Sequence, residues 1–351
     1  HHMHFGAFME FSNRAGVPEA QAFQEGFRMV DAAEEMGLDG VWLAELHFNP
    51  ARSVLSSPII VATSIATRTK RLRVGMAVYV LPLSNPLRIA EEVATVDHIS
   101  EGRFEFGIGR SGFARSYDVF SIPYNESQER FAESLEIILQ AWEGKEFSYQ
   151  GNHYTVENAT VTPAPYQQPH PPLRIAANSA DTFTRLGQAG HPIFVGLRGM
   201  DIPELSKNVL EYRRRWREAG HPGEGDVSLR IPVYAGETQQ QAMDEPFESI
   251  SGYFGRMGNL YRERAGKAGL GVAELADGRA ERLAALSYDE MLETKIAFAT
   301  AEGLVDRFTQ LKEELGLDGV VAELNPGGLI PEERVLRSLR ILTEKVMPAF
   351  K

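Results

Sequence analysis

Three short stretches carry residue types that could do chemistry. Gly102-Arg103-Phe104-Glu105-Phe106-Gly107-Ile108-Gly109-Arg110-Ser111-Gly112 reads as a strand ending in a glycine-rich turn with one arginine. Glycines let a backbone pass close to a ligand, and a guanidinium is a permanently charged fork suited to phosphate. Ser179 and Thr182 stand three apart, next to Asn178, where a helix is expected to begin. Hydroxyls and free amides at a helix N-terminus favour an anion. Glu45 and His47 pair a carboxylate with the side chain that titrates nearest neutrality. Each stretch also has a plainer reading. The G-x-G-x-x-G pattern fits a dinucleotide-binding turn only if a helix starts on the third glycine, yet the chain runs on into Phe113-Ala114-Arg115-Ser116-Tyr117, with Pro123 ahead of the next helix. It could equally be a strand-ending turn without a ligand. Asn178 or Ser179 could simply cap a helix, His47 could be satisfied within packing, and Glu45 could tie strands together.

The elements that must position these residues follow a strict rhythm. Strands are expected at His4 to Met9, Val41 to Ala44, Arg73 to Leu81, Arg103 to Ile108, Leu173 to Ala177, Ile193 to Leu197, Val227 to Ala235 and Gly319 to Leu324, each trailed by a helix. Phe131, Leu135, Ile138 and Trp142 step by four, three and four along one helix face, as do Val335, Leu339, Leu342 and Val346 near the end. The strands are too apolar to face water, so the pattern predicts a parallel α/β (β/α)8 TIM barrel with insertions, in one domain over residues 3–351. One insertion, 147–172, alternates like a hairpin and then becomes proline-rich. The other, 239–295 after the seventh strand, is either a lid over the site or an added helical subdomain.

A barrel of this kind works at the C-terminal ends of its strands. That rule selects Glu45, His47, Tyr79, Arg110, Asn178, Ser179, Thr182 and Asn325 without reference to any relative. Phe8, Leu46, Met76, Tyr79 and Phe113 are expected to line a substrate cavity, although aromatic and Met residues at strand ends also serve as packing. Arg213-Arg214-Arg215 reads as a solvated helix face, and the remaining histidines lie in helices or turns.

Composition excludes several classes of function. The chain has 351 residues, is 43% hydrophobic and 24% charged, and carries a formal charge of −12. That balance disfavours nucleic acid or an anionic membrane as partner. No apolar run has the length of a membrane span. With no cysteine there is no disulfide, thiol catalysis or iron–sulfur cluster, which fits the cytoplasm. No metal site is expected, because Glu45 and His47 have no further ligands nearby. His1-His2 ahead of Met3 read as a tag remnant.

The segments Val41-Trp42-Leu43-Ala44-Glu45-Leu46-His47-Phe48, Arg73-Val74-Gly75-Met76-Ala77-Val78-Tyr79-Val80-Leu81-Pro82 and Gly102 to Arg110, with the closing Val346-Met347-Pro348, resemble the bacterial luciferase-like flavin-dependent monooxygenases. The resemblance implies a barrel binding reduced FMN (FMNH2) delivered by a separate flavin reductase. It implies reaction with O2 through a flavin C4a-hydroperoxide to oxygenate a small organic substrate, and a homodimer built through the helices near 58–68 and 86–101. Arg110 matches the arginine on the FMN phosphate, and Asn178, Ser179 and Thr182 match the phosphate-binding stretch. Ala77-Val78 matches a non-prolyl cis bond against the flavin ring. One departure stands out. The family's Glu-His-His is here Glu45-Leu46-His47, so a leucine replaces the catalytic base, which puts aldehyde oxidation with light emission in doubt. His47 remains as a general acid or base, or as a donor to a flavin carbonyl. The alternatives are an F420-dependent oxidoreductase on the same barrel, and a flavin-binding relative without turnover.

Overall fold

A computed structural model of the chain describes residues 2–111, 113–268 and 279–351. Gly112 and residues 269–278 of the long insertion lie outside them. Eight parallel strands close on themselves: first His4–Met9, second Gly40–Leu43, third Arg73–Met76 resuming at Tyr79–Val80, fourth Phe104–Gly109, fifth Leu173–Ala176, sixth Ile193–Gly196, seventh Val227–Gly236 and eighth Gly319–Glu323. The seventh pairs with both the sixth (Val227 opposite Ile193) and the eighth (Ser228 opposite Gly319), and the eighth pairs with the first (His4 opposite Gly319). The barrel predicted from the apolar rhythm is the observed architecture.

Alternation along each strand decides what fills the barrel and what packs under the helices. Trp42 and Phe194 meet edge-to-face at 5.1 Å between ring centroids within a small cluster that also holds Phe8, Ala44, Leu46, Ala77 and Val321. Glycines make room for them. A Cβ at Gly6 or Gly75 would fall 2.7 or 2.5 Å from the Trp42 ring. Outward-facing residues such as Phe5, Met76 and Phe106 join the larger core beneath the helices.

The third strand departs from this regularity. Val74 pairs with Phe104, but beyond the break Tyr79 pairs with Ile108, so the third strand carries one extra residue. The Ala77–Val78 peptide in that break is cis. The extra residue flips the side-chain parity, as a bulge does.

The hairpin expected in the first insertion is present as Phe147–Gln150 against Thr155–Ala159, antiparallel. Its turn is held by buried Glu133, whose carboxylate accepts the amides of Asn152 (3.0 Å), His153 (3.0 Å) and Tyr154 (3.2 Å). The second insertion contains helices Gln239–Asp244, Phe247–Ala268, Arg279–Ala284 and Tyr288–Thr294. It is followed by a strand not anticipated from sequence, Ala297–Thr300, which extends the sheet from the seventh strand (Val233 opposite Ala297). No helix among the described residues is long and apolar enough to cross a membrane.

Candidate active site

The C-terminal mouth of the barrel divides into two halves. The first is built by strands two to five. Glu45 leaves the second strand and is tied to the third, accepting the Val80 amide at 3.2 Å. Its other oxygen meets His47 Nε2 at 2.7 Å. Burial raises the Glu45 carboxyl above its usual range, only partly offset by His47 and the Val80 amide, and Glu92 pushes it further up. The His47 ring lies against Phe120 (5.1 Å) and Phe48 (5.8 Å). Leu46 turns the other way, into the apolar floor of the mouth with Phe8, Ala44 and Ala77, and Val78 and Phe113 pack on that floor.

Arg110 closes the fourth strand. Its guanidinium donates to Ser127 Oγ at 2.9 Å, and the Tyr117 hydroxyl donates to its carbonyl oxygen. Among the described residues no carboxylate lies within ion-pair distance of it. Gly107 stands opposite Arg174 and Ile108 opposite Ile175 on the fifth strand, and continuing that register sets Arg110 beside Ala177, one residue before Asn178. Ser179 then caps the helix Ala180–Ala189. Its Oγ accepts from the Thr182 amide at 3.4 Å and lies 2.7 Å from Thr182 Oγ1. Asn178 and Ser179 are exposed and Thr182 is half-buried. The Ser179 cap leaves other first-turn amides open, so capping does not preclude a role toward an anion.

Several expectations need correction. Met76 is fully buried in the core under the helices, not at the mouth. Tyr79 also faces the helices, where its hydroxyl donates to Glu92 at 3.0 Å, because the extra residue at Ala77–Val78 reverses its side. The glycines of the fourth strand do not clear space for a ligand. A Cβ at Gly107 would fall 1.7 Å from the Met76 carbonyl oxygen, and one at Gly109 would fall 2.8 Å from Val78. They admit the crowded third strand. A short helix, Ala114–Val119, follows the turn. Asn325 staples its own loop, exchanging hydrogen bonds with Ile330 at 3.0 Å each way.

The second half of the mouth, built by strands one, seven and eight, holds charges that sequence reasoning missed. Arg52, in the loop after the second strand, grips Glu10. Burial alone would raise the Glu10 carboxyl, but Arg52, with Arg230 and Arg256, holds it below the usual carboxylate range. Arg230 donates to buried Glu323 at 2.7 Å and lies 4.0 Å from Glu10. Tyr253 of helix Phe247–Ala268 donates to the same Glu323 oxygen at 3.2 Å. This helix is pinned at the mouth, since its Ser249 donates to the Pro326 carbonyl and accepts from the Leu329 amide. A trace of these residues was present in the sequence: Arg230 and Glu323 are lone charges inside otherwise apolar strands.

Two other polar groupings do not belong to the mouth. Glu129, Glu133 and His153 come close enough to share a cation, but the amides of the hairpin turn already occupy Glu133. At the N-terminal end of the barrel a cavity of about 640 Å³ is lined by His4, Arg73, Glu105, Arg174 and Asp226 among others. Its arginines are paired, Arg73 with Glu105 at 3.1 Å and Arg174 with Asp226 at 2.8 Å.

The family model of luciferase-like monooxygenases matches residues 3–319. An uncharacterised protein of Sinorhizobium fredii, y4wF, is 36% identical over 51% of this chain and 52% of its own length. The oxygenase component of a flavin-dependent trigonelline monooxygenase from Acinetobacter baylyi is 25% identical over 95% of this chain and 91% of its own. Two solved structures share the fold. The oxygenating constituent of 3,6-diketocamphane monooxygenase from Pseudomonas putida, a complex with FMN, superposes with a TM-score of 0.82 at 18% identity over 99% of this chain and 98% of that one. An F420-dependent secondary alcohol dehydrogenase superposes with a TM-score of 0.76 at 17% identity over the whole of both chains. Together with the closed barrel, the match over nearly all of its length shows that this chain belongs to the luciferase-like monooxygenase family.

Proposed function

We propose that the mouth binds FMN in its reduced form and oxygenates a small organic substrate with O2, the flavin being supplied by a separate reductase. Arg110 carries this reading. It is a half-buried guanidinium whose one side-chain partner among the described residues is a serine hydroxyl, set beside the N-terminus of a helix. Such a group favours a doubly charged phosphate. Asn178, Ser179 and Thr182 complete the phosphate end. Small side chains suit a flat ring over the floor: Ala44, Ala77 and Val78 form a low wall, and Leu46, Phe8 and Phe113 keep water out.

When bound, reduced FMN supplies the electrons with which O2 is split between product and water. The chain's own tasks are to hold the phosphate, exclude water and place the substrate. His47, oriented by Glu45, exchanges a proton at the mouth, and the apolar Leu46 takes no part in proton transfer. Helix Phe247–Ala268 acts as a cover on the site. A homodimer through helices Pro58–Arg68 and Pro86–Ile99 belongs to the same proposal; Ile60 is 66% exposed on the first and Ile99 41% on the second.

The second reading, an F420-dependent oxidoreductase, is supported by the likeness to the F420-dependent secondary alcohol dehydrogenase. Titration with FMN and with F420, followed by turnover of FMNH2 under isotopically labelled O2, separates the two. The monooxygenase expectation is FMN binding and label in an organic product. F420 binding with FMN refused contradicts it. FMN binding without labelled product across a broad substrate panel points to a flavin-binding relative without turnover.

A further inference from the structure

The end of the barrel away from the mouth is filled in an unusual way. Barrels of this kind pack their interior with layers of branched apolar side chains. Here the N-terminal end holds the cavity of about 640 Å³, a volume in the range of small-molecule sites. Arg73, Glu105 and Arg174 line it from the third, fourth and fifth strands, so charge alternates in sign along one wall. Strands eight, one and two contribute small or apolar groups, Val321, Gly6 and Gly40. Trp42 stands between this space and the mouth, since it lines the cavity and also belongs to the apolar cluster with Phe8, Leu46 and Ala77.

The polar groups here have hydrogen-bonding capacity left over. Glu105 accepts from Arg73 Nε at 3.1 Å and from no other group among the described residues. Arg174 uses Nη1 on Asp226 (2.8 Å) and on the Ile193 carbonyl (3.1 Å), while its Nε is buried without a partner. Trp42 is 8% exposed, and its indole Nε1, which a Cβ at Gly6 would approach to 2.7 Å, donates to nothing among the described residues. Both donors flank the Phe194 ring, the Arg174 guanidinium carbon at 5.6 Å from its centroid and the Trp42 ring at 5.1 Å. Native interiors seldom leave buried donors without acceptors. The alternation of sign decides the charge of what fits. A net anion would meet Glu105 and Asp226 as well as the guanidiniums, and a net cation would meet the guanidiniums, whereas a dipolar molecule finds a partner for each end.

We propose that this cavity is a second binding site, separate from the mouth, for a zwitterionic α-amino acid with an apolar side chain. Its carboxylate takes the spare N–H groups of Arg174 and Trp42, its ammonium takes Glu105, and its side chain lies against Gly6, Gly40 and Val321. Glu105 and Arg174 stand on adjacent strands, about 4.8 Å apart, and two residues apart in register, since Gly107 is opposite Arg174. That spacing suits two charges carried on a single carbon. The site lies on the far side of Trp42 from the proposed flavin and does not depend on that reading.

The test is calorimetric titration of the full chain with L-leucine, L-methionine and L-phenylalanine. Each is set beside its amide, which lacks the carboxylate, and its N-acetyl derivative, which lacks the ammonium. Wild type, Glu105→Gln and Arg174→Gln are compared, circular dichroism verifying the fold. At least one amino acid is expected to bind wild type about tenfold or more tightly than both of its singly charged derivatives, and to lose about tenfold in each variant. No heat from any amino acid at about 10 mM, a derivative that binds as tightly as its parent, or full affinity kept in either variant overturns the proposal. The contrast between parent and derivatives in wild type decides the matter even where a variant fails to fold.

Discussion

The two halves of the barrel mouth handle charge in opposite ways. Around strands one, seven and eight, arginines and carboxylates neutralise one another within the protein: Arg52 with Glu10, Arg230 with Glu323. Around strands four and five, Arg110 has a serine for a partner and the capped helix faces outward. Removing a member of the first half leaves a buried charge uncompensated, which harms the fold. Removing a member of the second half takes away a group that, on the proposed reading, holds the cofactor phosphate. The first half should therefore register in stability and the second in ligand affinity.

The largest expected effect breaks the paired half. Arg52→Met strands Glu10 and should lower the unfolding free energy by about 3–5 kcal/mol in urea melts at neutral pH. Because Glu10 is held below its ordinary value, its contribution is present above the unfolded-state pKa and lost as pH falls through the folded one. The variant's deficit should accordingly shrink on the acid side. A loss no larger than that of an exposed arginine would erase the distinction between the halves.

Next comes Arg110→Ala, which should weaken FMN binding roughly tenfold to a hundredfold while leaving the melting temperature nearly unchanged. A stability loss matching that of Arg52→Met would place Arg110 in the paired class. Glu45→Gln probes the link between second and third strands. Burial raises the Glu45 pKa, so between the ordinary and the raised value the folded state keeps a proton that the unfolded chain has lost, and stability falls as pH rises. The glutamine variant should lose that part of the slope in melts across the range, and an unchanged profile would count against the assignment. The smallest effect is Ser179→Ala, expected to cost about 1 kcal/mol from the lost cap, with a modest loss of FMN affinity.

Much of this was legible in the sequence. Apolar strands alternating with amphipathic helices specify the barrel, because each strand must be covered on both faces. Arg110 and Ser179 stood out because strand ends in a barrel are where a site can be built. Tyr79 was misread for a physical reason. Strict alternation puts Ala77 and Tyr79 on one side, and the extra residue between them cannot be seen from period-two counting. Met76 was already excluded by alternation once Gly75 is known to face Trp42. The Arg52–Glu10 and Arg230–Glu323 pairs escaped because they join residues 42 and 93 positions apart, and no local pattern announces such a partnership.

The central claim is that Arg110 and the helix after the fifth strand recognise a phosphate. The most direct measurement is paired fluorescence titration of FMN and of riboflavin, which lacks only that phosphate, into wild type and Arg110→Ala. Wild type should hold FMN at least about tenfold more tightly than riboflavin, and the variant should nearly abolish the difference. Equal binding of the two flavins by wild type would contradict it.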